Sequence, residues 1–292
     1  MPAAMVKEPI ERREGVYVLE FGATYFEVHA APGGRVVQFA RGGVPILVTQ
    51  AQVSGDWANN FGSTFWTSPQ AAWGWPPPFG LDGAPYAATI DTNAASITLT
   101  SPLTAIGDAQ VELTKTFRAD LDADAIVSEF VLRNTGRTVA RMAHWQISRV
   151  PAGGLTFFPT GRGVVQDGLG VKEGSGGITW FDWQTDAPAS DGKYIADGAE
   201  GWLAHVGNGL IFVKSFADLR LDEAAPGEAD VEIYATSPGR YVEIEPQGPF
   251  QQIAPGASMS WRVTWKLRAL PKGILQEAGA AGLVELARSL AR

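Results

Sequence analysis

Few side chains in this sequence can do chemistry. There is no cysteine, and histidine occurs only at positions 29, 144 and 205. Thiolate nucleophiles, disulfides and zinc–thiolate sites are excluded, and no metal centre is expected. His144 lies in Arg141-Met142-Ala143-His144-Trp145-Gln146-Ile147-Ser148. Read as a strand, this run sets Ala143, Trp145 and Ile147 on one face and His144, Gln146 and Ser148 on the other. A histidine on a polar face, with an ordinary pKa of about 6.5, can trade protons. The plainer alternative is a hydrogen-bonded strand residue with no catalytic role. His29 and His205 lack any nearby cluster of candidate ligands. In Tyr241-Val242-Glu243-Ile244-Glu245-Pro246-Gln247 the same period places Tyr241, Glu243 and Glu245 together. Two carboxylates and a phenol can form an acid–base site, because neighbouring like charges raise a carboxyl pKa. Glutamates facing solvent would give the same alternation. Lys214, inside Leu210-Ile211-Phe212-Val213-Lys214-Ser215-Phe216, is a cation in an apolar strand. It needs an interior partner, or it donates to ligand hydroxyls.

The densest aromatic segment runs from Phe65 to Pro78 and contains Trp66, Gln70, Trp73, Trp75 and four prolines. With Trp57 it holds four of the ten tryptophans. It does not alternate, and its prolines disfavour both a helix and a central strand. Indole faces on such a loop match the C–H faces of a sugar ring, and indole N–H groups or the Gln70 amide can bond hydroxyls. A loop that plugs the end of the fold would have the same composition.

These residues must be positioned by strands. Val111, Leu113 and Phe117 alternate with polar neighbours, and Trp261, Val263, Trp265 and Leu267 do so more cleanly still. Turn signals such as Pro32-Gly33-Gly34, Asn134-Thr135-Gly136 and Pro255-Gly256 separate the runs. The glycine-rich stretch 167–177 reads as a mobile loop over one face. Only the end of the chain differs: between Ile274 and Leu290, apolar residues at 283, 286, 287 and 290 predict a helix. The expected organisation is an arm over 1–14, one antiparallel all-β domain over 15–270, built as stacked sheets, and a C-terminal helix over 271–292 packed on or beside the domain.

Composition limits the partners. Lys and Arg total 23 against 31 Asp and Glu, a net charge of −8, which disfavours nucleic acid and anionic membranes. No run approaches the roughly 18 apolar residues of a membrane span. The first residues carry no apolar signal segment, so a soluble protein of the cytoplasm or periplasm is expected. A neutral polar ligand suits an acidic protein whose aromatic segment carries amides.

Several motifs resemble those of galactose mutarotase-like proteins. Phe26-Glu27-Val28 followed by Gly33-Gly34-Arg35-Val36-Val37 looks like their opening strands. His144, after Asn134-Thr135-Gly136, resembles the histidine strand of aldose epimerases. Val242-Glu243-Ile244-Glu245, leading to Ala254-Pro255-Gly256 and a Trp-rich strand, resembles the catalytic-glutamate strand. The Phe65–Pro78 block looks like an uncharacterised branch, and no match is found to the arginine and second histidine that hold substrate in classical members. The resemblance implies a β-supersandwich and a cofactor-free aldose or sugar-derivative epimerase acting on a small sugar or oligosaccharide. Glu245 would be the base and His144 the acid, with Trp66, Gln70, Trp73, Trp75 and Lys214 holding substrate. A non-catalytic carbohydrate-binding protein is the alternative. A glycan hydrolase or lyase, with Glu243 as second carboxylate, is the third reading.

Overall fold

The computed structural model describes residues 6–53, 58–174, 176–237 and 239–292. Among them, 22 strands are linked by antiparallel pairing into one connected system. One sheet runs Val6–Arg13, Val16–Phe21, Thr24–His29, Arg35–Arg41, Ser63–Ser68, Ala140–Pro151, Tyr241–Pro246, Val231–Ala235 and Gly192–Gly198. The other runs Ala87–Asp91, Ser96–Thr100, Ala109–Asp120, Ala125–Asn134, Ser258–Ala269, Leu210–Ser215 and Trp202–Gly207. Strand Leu155–Asp167 belongs to both. Its first half pairs with Trp202–Gly207 and its second half with Gly192–Gly198. An antiparallel all-β architecture with a short C-terminal helix is what the sequence predicts.

The sheets pack face to face through aromatic side chains. Phe26 and Phe39 of the first meet Trp265 of the second edge-on or tilted, at 5.9 and 5.6 Å between centroids. Phe39 also meets Phe212 at 5.4 Å. Such contacts add to the burial of large apolar rings, which dominates the stability of a core like this one. Strand Ser258–Ala269 supplies Met259, Trp261, Val263, Trp265 and Leu267 to the interior, as its alternation predicts.

The first and last described segments are built into this frame. Val6–Arg13 is a strand paired with Val16–Phe21 and extends the edge of the first sheet. The C-terminal helix spans Ala281–Ala291, starting later than the apolar spacing suggests because Gly279 holds a left-handed φ of +89° just before it. Leu283 and Ala287, one turn apart, are buried against Phe157, Trp180, Trp202 and Val213 on the outer side of the second sheet. In the glycine-rich stretch, Lys172–Glu173 pairs with Ile178–Asp182, so this segment is a hairpin rather than a loop throughout. No helix among the described residues is long and apolar enough to cross a membrane.

Candidate functional site

Pairing register decides which side chains meet. Residues directly opposite one another on antiparallel strands project to the same face. Arg149 faces Glu243, and Trp145 bridges to Gln247, so Glu245, midway between Glu243 and Gln247, points to the same side as Trp145, Ile147 and Arg149. On the next strand Glu232 lies directly opposite Glu245, and Tyr234 opposite Glu243. Lys193 faces Tyr234 one strand further on. On the other flank Trp66 faces Trp145. Five strands thus present Lys193, Glu232, Glu243, Glu245, Gln247, Trp145, Arg149 and Trp66 on one face, the face turned away from the second sheet.

His144 belongs to the opposite face. It pairs with Thr67, in step with Gln146 and Phe65. Its ring stacks on Trp261 at 5.8 Å and meets Phe65 edge-on at 5.7 Å, deep between the sheets. Gln146 also points inward, accepting a hydrogen bond from Trp265 Nε1 at 3.1 Å. Burial lowers the His144 pKa to about 3, only partly opposed by the carbonyls of Met259 and Phe130. The sequence reading of two alternating faces is sound, but the polar face is the one in the core and the Trp145 face is the one at the site. His144 and Glu245 are therefore separated by the sheet itself, and the pairing of this histidine with that glutamate in one cleft is corrected. Lys214 is likewise on the core side. Fully buried, it donates from Nζ to the Ile244 carbonyl at 2.8 Å and lies 5.4 Å from the Trp265 ring centroid. It reaches the back of the glutamate strand, not the face that bears Glu245.

The aromatic segment covers the Glu245 side. Trp66 is buried, with its Nε1 donating to Asp82 Oδ1 at 2.9 Å. It meets Trp145, Trp73 and Trp75 edge-on, at centroid distances of 5.4, 5.8 and 6.0 Å. Trp73 is half-buried, its Nε1 bonded to the Thr67 carbonyl at 2.8 Å, and Trp75 is 58% exposed. Trp57 lies outside the described residues. Two pins hold this segment down. At its far end Asp82 accepts from Arg35 at 2.7 Å and from Thr64 at 3.1 Å, all fully buried or nearly so. Burial alone would raise the Asp82 pKa, but Arg35 and then Arg149 outweigh it and keep the carboxyl below its ordinary range. At the near end Glu228 accepts from the Gln70 N–H at 3.1 Å and from Gln247 Nε2 at 3.2 Å.

Charge on this face is unbalanced. Arg149 pairs with Glu243 at 2.7 Å, its guanidinium lying between the rings of Trp66 and Tyr241. Lys193 pairs with Glu232 at 2.5 Å, donates to Gln70 Oε1 at 3.1 Å and sits 5.2 Å from the Trp145 ring centroid. That leaves Glu245 without an ion-pair partner among the described residues, although Lys193 and Arg149 act on its carboxyl from further off. Both of its carboxyl oxygens are buried with no hydrogen-bond partner, as are Gln247 Oε1, Trp145 Nε1 and Nε and Nη1 of Arg149. Burial, then the charges of Glu232 and Glu243, push the Glu245 pKa well above the carboxylate range. Burial also raises Glu232, to about 7, against the pull of Lys193. These surroundings favour the protonated form of Glu245, beside a carboxyl that is itself shifted upward yet ion-paired with Lys193. Unmet buried donors and acceptors of this density are what a polar ligand or ordered water satisfies.

Sequence reasoning misses Lys193, Glu232, Trp145, Arg149, Glu228 and Gln247. One signal was available. Asp230-Val231-Glu232-Ile233-Tyr234 repeats the acid–apolar alternation of the Glu243–Glu245 strand only a tight turn away, which is the pattern of a hairpin with facing carboxylates.

No family model matches the chain, and no curated protein matches its sequence. Solved structures do match by shape. A galactose mutarotase-like protein from Clostridium acetobutylicum aligns with a TM-score of 0.57 at 11% identity, covering 92% of this chain and 99% of that one. A galactose 1-epimerase from Lactobacillus acidophilus NCFM aligns with a TM-score of 0.55 at 12% identity, over 92% and 99% of the two chains. A TPR-domain containing protein from Parabacteroides distasonis gives a TM-score of 0.60 at 14% identity over 91% of this chain, which spans about half, 49%, of that protein. At these identities the likeness speaks for the fold: this chain has the galactose mutarotase-like fold, in a sequence far diverged from those proteins.

Proposed function

We propose that this protein is a cofactor-free sugar epimerase of the mutarotase type, with its site on the Glu245 face. The observation that carries this reading is the buried, unpartnered Glu245 carboxyl set directly across from Glu232 and beside a tryptophan-rich segment. Ring opening needs one group to deliver a proton to the ring oxygen and another to take the proton of the anomeric hydroxyl. Two facing carboxyls in different protonation states can do both. Glu245, held protonated by its surroundings, gives its proton to the ring oxygen as the bond to the anomeric carbon breaks. Glu232, ion-paired with Lys193, removes the hydroxyl proton, and the anomeric carbonyl forms. Rotation about the adjacent carbon–carbon bond and reversal of both transfers give the other anomer. Glu245 is therefore the acid of the forward step, where the sequence motif suggests a base, and His144 has no part. Trp73 and Trp75 offer faces to the sugar, while Gln70, Gln247 and Arg149 offer polar contacts to its hydroxyls.

Exchange between anomers, followed by NMR over a panel of free aldoses and sugar derivatives, tests this reading. Catalysed exchange that drops by about 10²-fold or more in Glu245→Gln supports it. Exchange unchanged by that substitution overturns the assigned acid. Binding with no exchange leaves a carbohydrate-binding protein instead.

A further inference from the structure

We infer that the ligand of this face carries a positively charged nitrogen, and that an amino sugar with a free amine is its substrate class; this rests on the reading of the Glu245 face as the ligand site. The first ground is the charge inventory. Glu228, Glu232, Glu243 and Glu245 are all buried or nearly so on this face, and among the described residues their ion pairs come from Arg149 and Lys193. The Arg35–Asp82 pair is self-contained and changes nothing in that balance. A neutral sugar supplies no countercharge to these four carboxyls. An ammonium supplies the missing countercharge and the donors that the Glu245 oxygens lack.

The second ground is independent of the acids. Four indoles gather here, Trp66, Trp73, Trp75 and Trp145, each within 6.3 Å of another. Indole faces are the best aromatic partners for cations. The protein already uses the face in this way: the Lys193 ammonium rests over Trp145 while bonded to Glu232. A second ammonium beside Glu245 would repeat, one strand over, the environment that holds Lys193. The hydroxyls of the same ligand fall to Gln70, Gln247 and the unpaired N–H groups of Arg149.

Binding has a distinct signature under this inference. A cation entering beside the unpartnered Glu245 oxygens is held by them and by the neighbouring indole faces, so affinity falls when either the ligand's charge or the carboxyl is removed. Isothermal titration reads that affinity directly. The probes are glucosamine, galactosamine and mannosamine, each against its N-acetyl derivative and its parent hexose, at pH 6.5 where the amines are charged. Expected is affinity at least about tenfold higher for the amines, and loss of that preference in Glu245→Gln. Glutamine matches the neutral acid in shape, so the variant keeps its fold. Equal or better binding of the parent hexoses overturns the charge inference and leaves the sugar site standing. Amine binding without anomer exchange overturns the epimerase and leaves the amine site standing. No binding by any probe overturns both.

Discussion

Replacing His144 by phenylalanine separates a core histidine from a catalytic one. The phenyl ring can keep the stack on Trp261 and the edge contact to Phe65, so at pH 7.5 the variant should differ from the parent by less than about 1.5 kcal/mol. The pH dependence should differ much more. In the folded protein His144 resists protonation down to a pKa of about 3, whereas in the unfolded chain it takes a proton near its ordinary value of 6.5. As pH falls through that window the unfolded state alone gains the proton, and the folded state loses stability. The cost is about 1.4 kcal/mol per pH unit, hence about 2 kcal/mol at pH 5. Phenylalanine cannot titrate, so the variant escapes this loss. Other groups shift the absolute profile, including Glu232 and Asp230, whose raised pKa values favour the folded state in acid, but they are common to both proteins and cancel in the difference. Urea unfolding of both proteins from pH 7.5 to 4.5 measures the gap. Parallel profiles would show that His144 takes its proton in the folded state, which is incompatible with its place between the sheets. Loss of ligand binding or exchange in the variant would return the histidine to the site.

Three further outcomes follow from the site geometry. Asp82→Asn strands the fully buried Arg35 and should cost about 3–5 kcal/mol in unfolding experiments; a loss under about 1 kcal/mol would show that the pin is not formed. In Glu245→Gln the sign runs the other way from His144: the raised folded pKa stabilises the parent below about pH 4.5 and is lost as pH rises and the unfolded chain ionises. The glutamine variant should therefore gain on its parent between pH 5 and pH 8, and a constant difference over that range would contradict a protonated Glu245. Gln70→Ala removes the bond from Lys193 across the carboxylates and should speed ligand association in stopped-flow tryptophan fluorescence, while an unchanged rate would mean that this contact does not limit entry.

Most of the scaffold is legible in the sequence because one face of a strand such as Ser258–Ala269 meets the core and the other meets water, so alternation survives. The site is harder to read because both faces of its strands are buried. In Tyr241–Pro246 every residue is buried, the apolar set in the core and the acidic set under the tryptophan segment, so acids that look solvated are not. The same cause misassigns His144. Its strand has a polar and an apolar face, and the usual rule sends the apolar one inward, yet Trp145 and Arg149 share a face because the indole forms part of the site wall. Only the pairing of Trp145 with Gln247 and of Arg149 with Glu243 resolves the choice, and that register depends on partners about 100 residues away. The convergence of Lys193 on Glu232 is invisible for the same reason.

The most direct test of the central claim, that ligand binds on the Glu245 face, is the set of ten indole N–H resonances in a ¹⁵N-labelled sample titrated with glucosamine and the parent hexoses. Trp73, Trp75 and Trp145, assigned by single phenylalanine substitutions, should shift in a saturable way, while Trp180, Trp202 and Trp265 on the other sheet stay fixed. Saturable shifts confined to Trp180, Trp202 or Trp265, or no shift at Trp73, Trp75 and Trp145 while binding heat is measured, would place the ligand elsewhere and contradict the account.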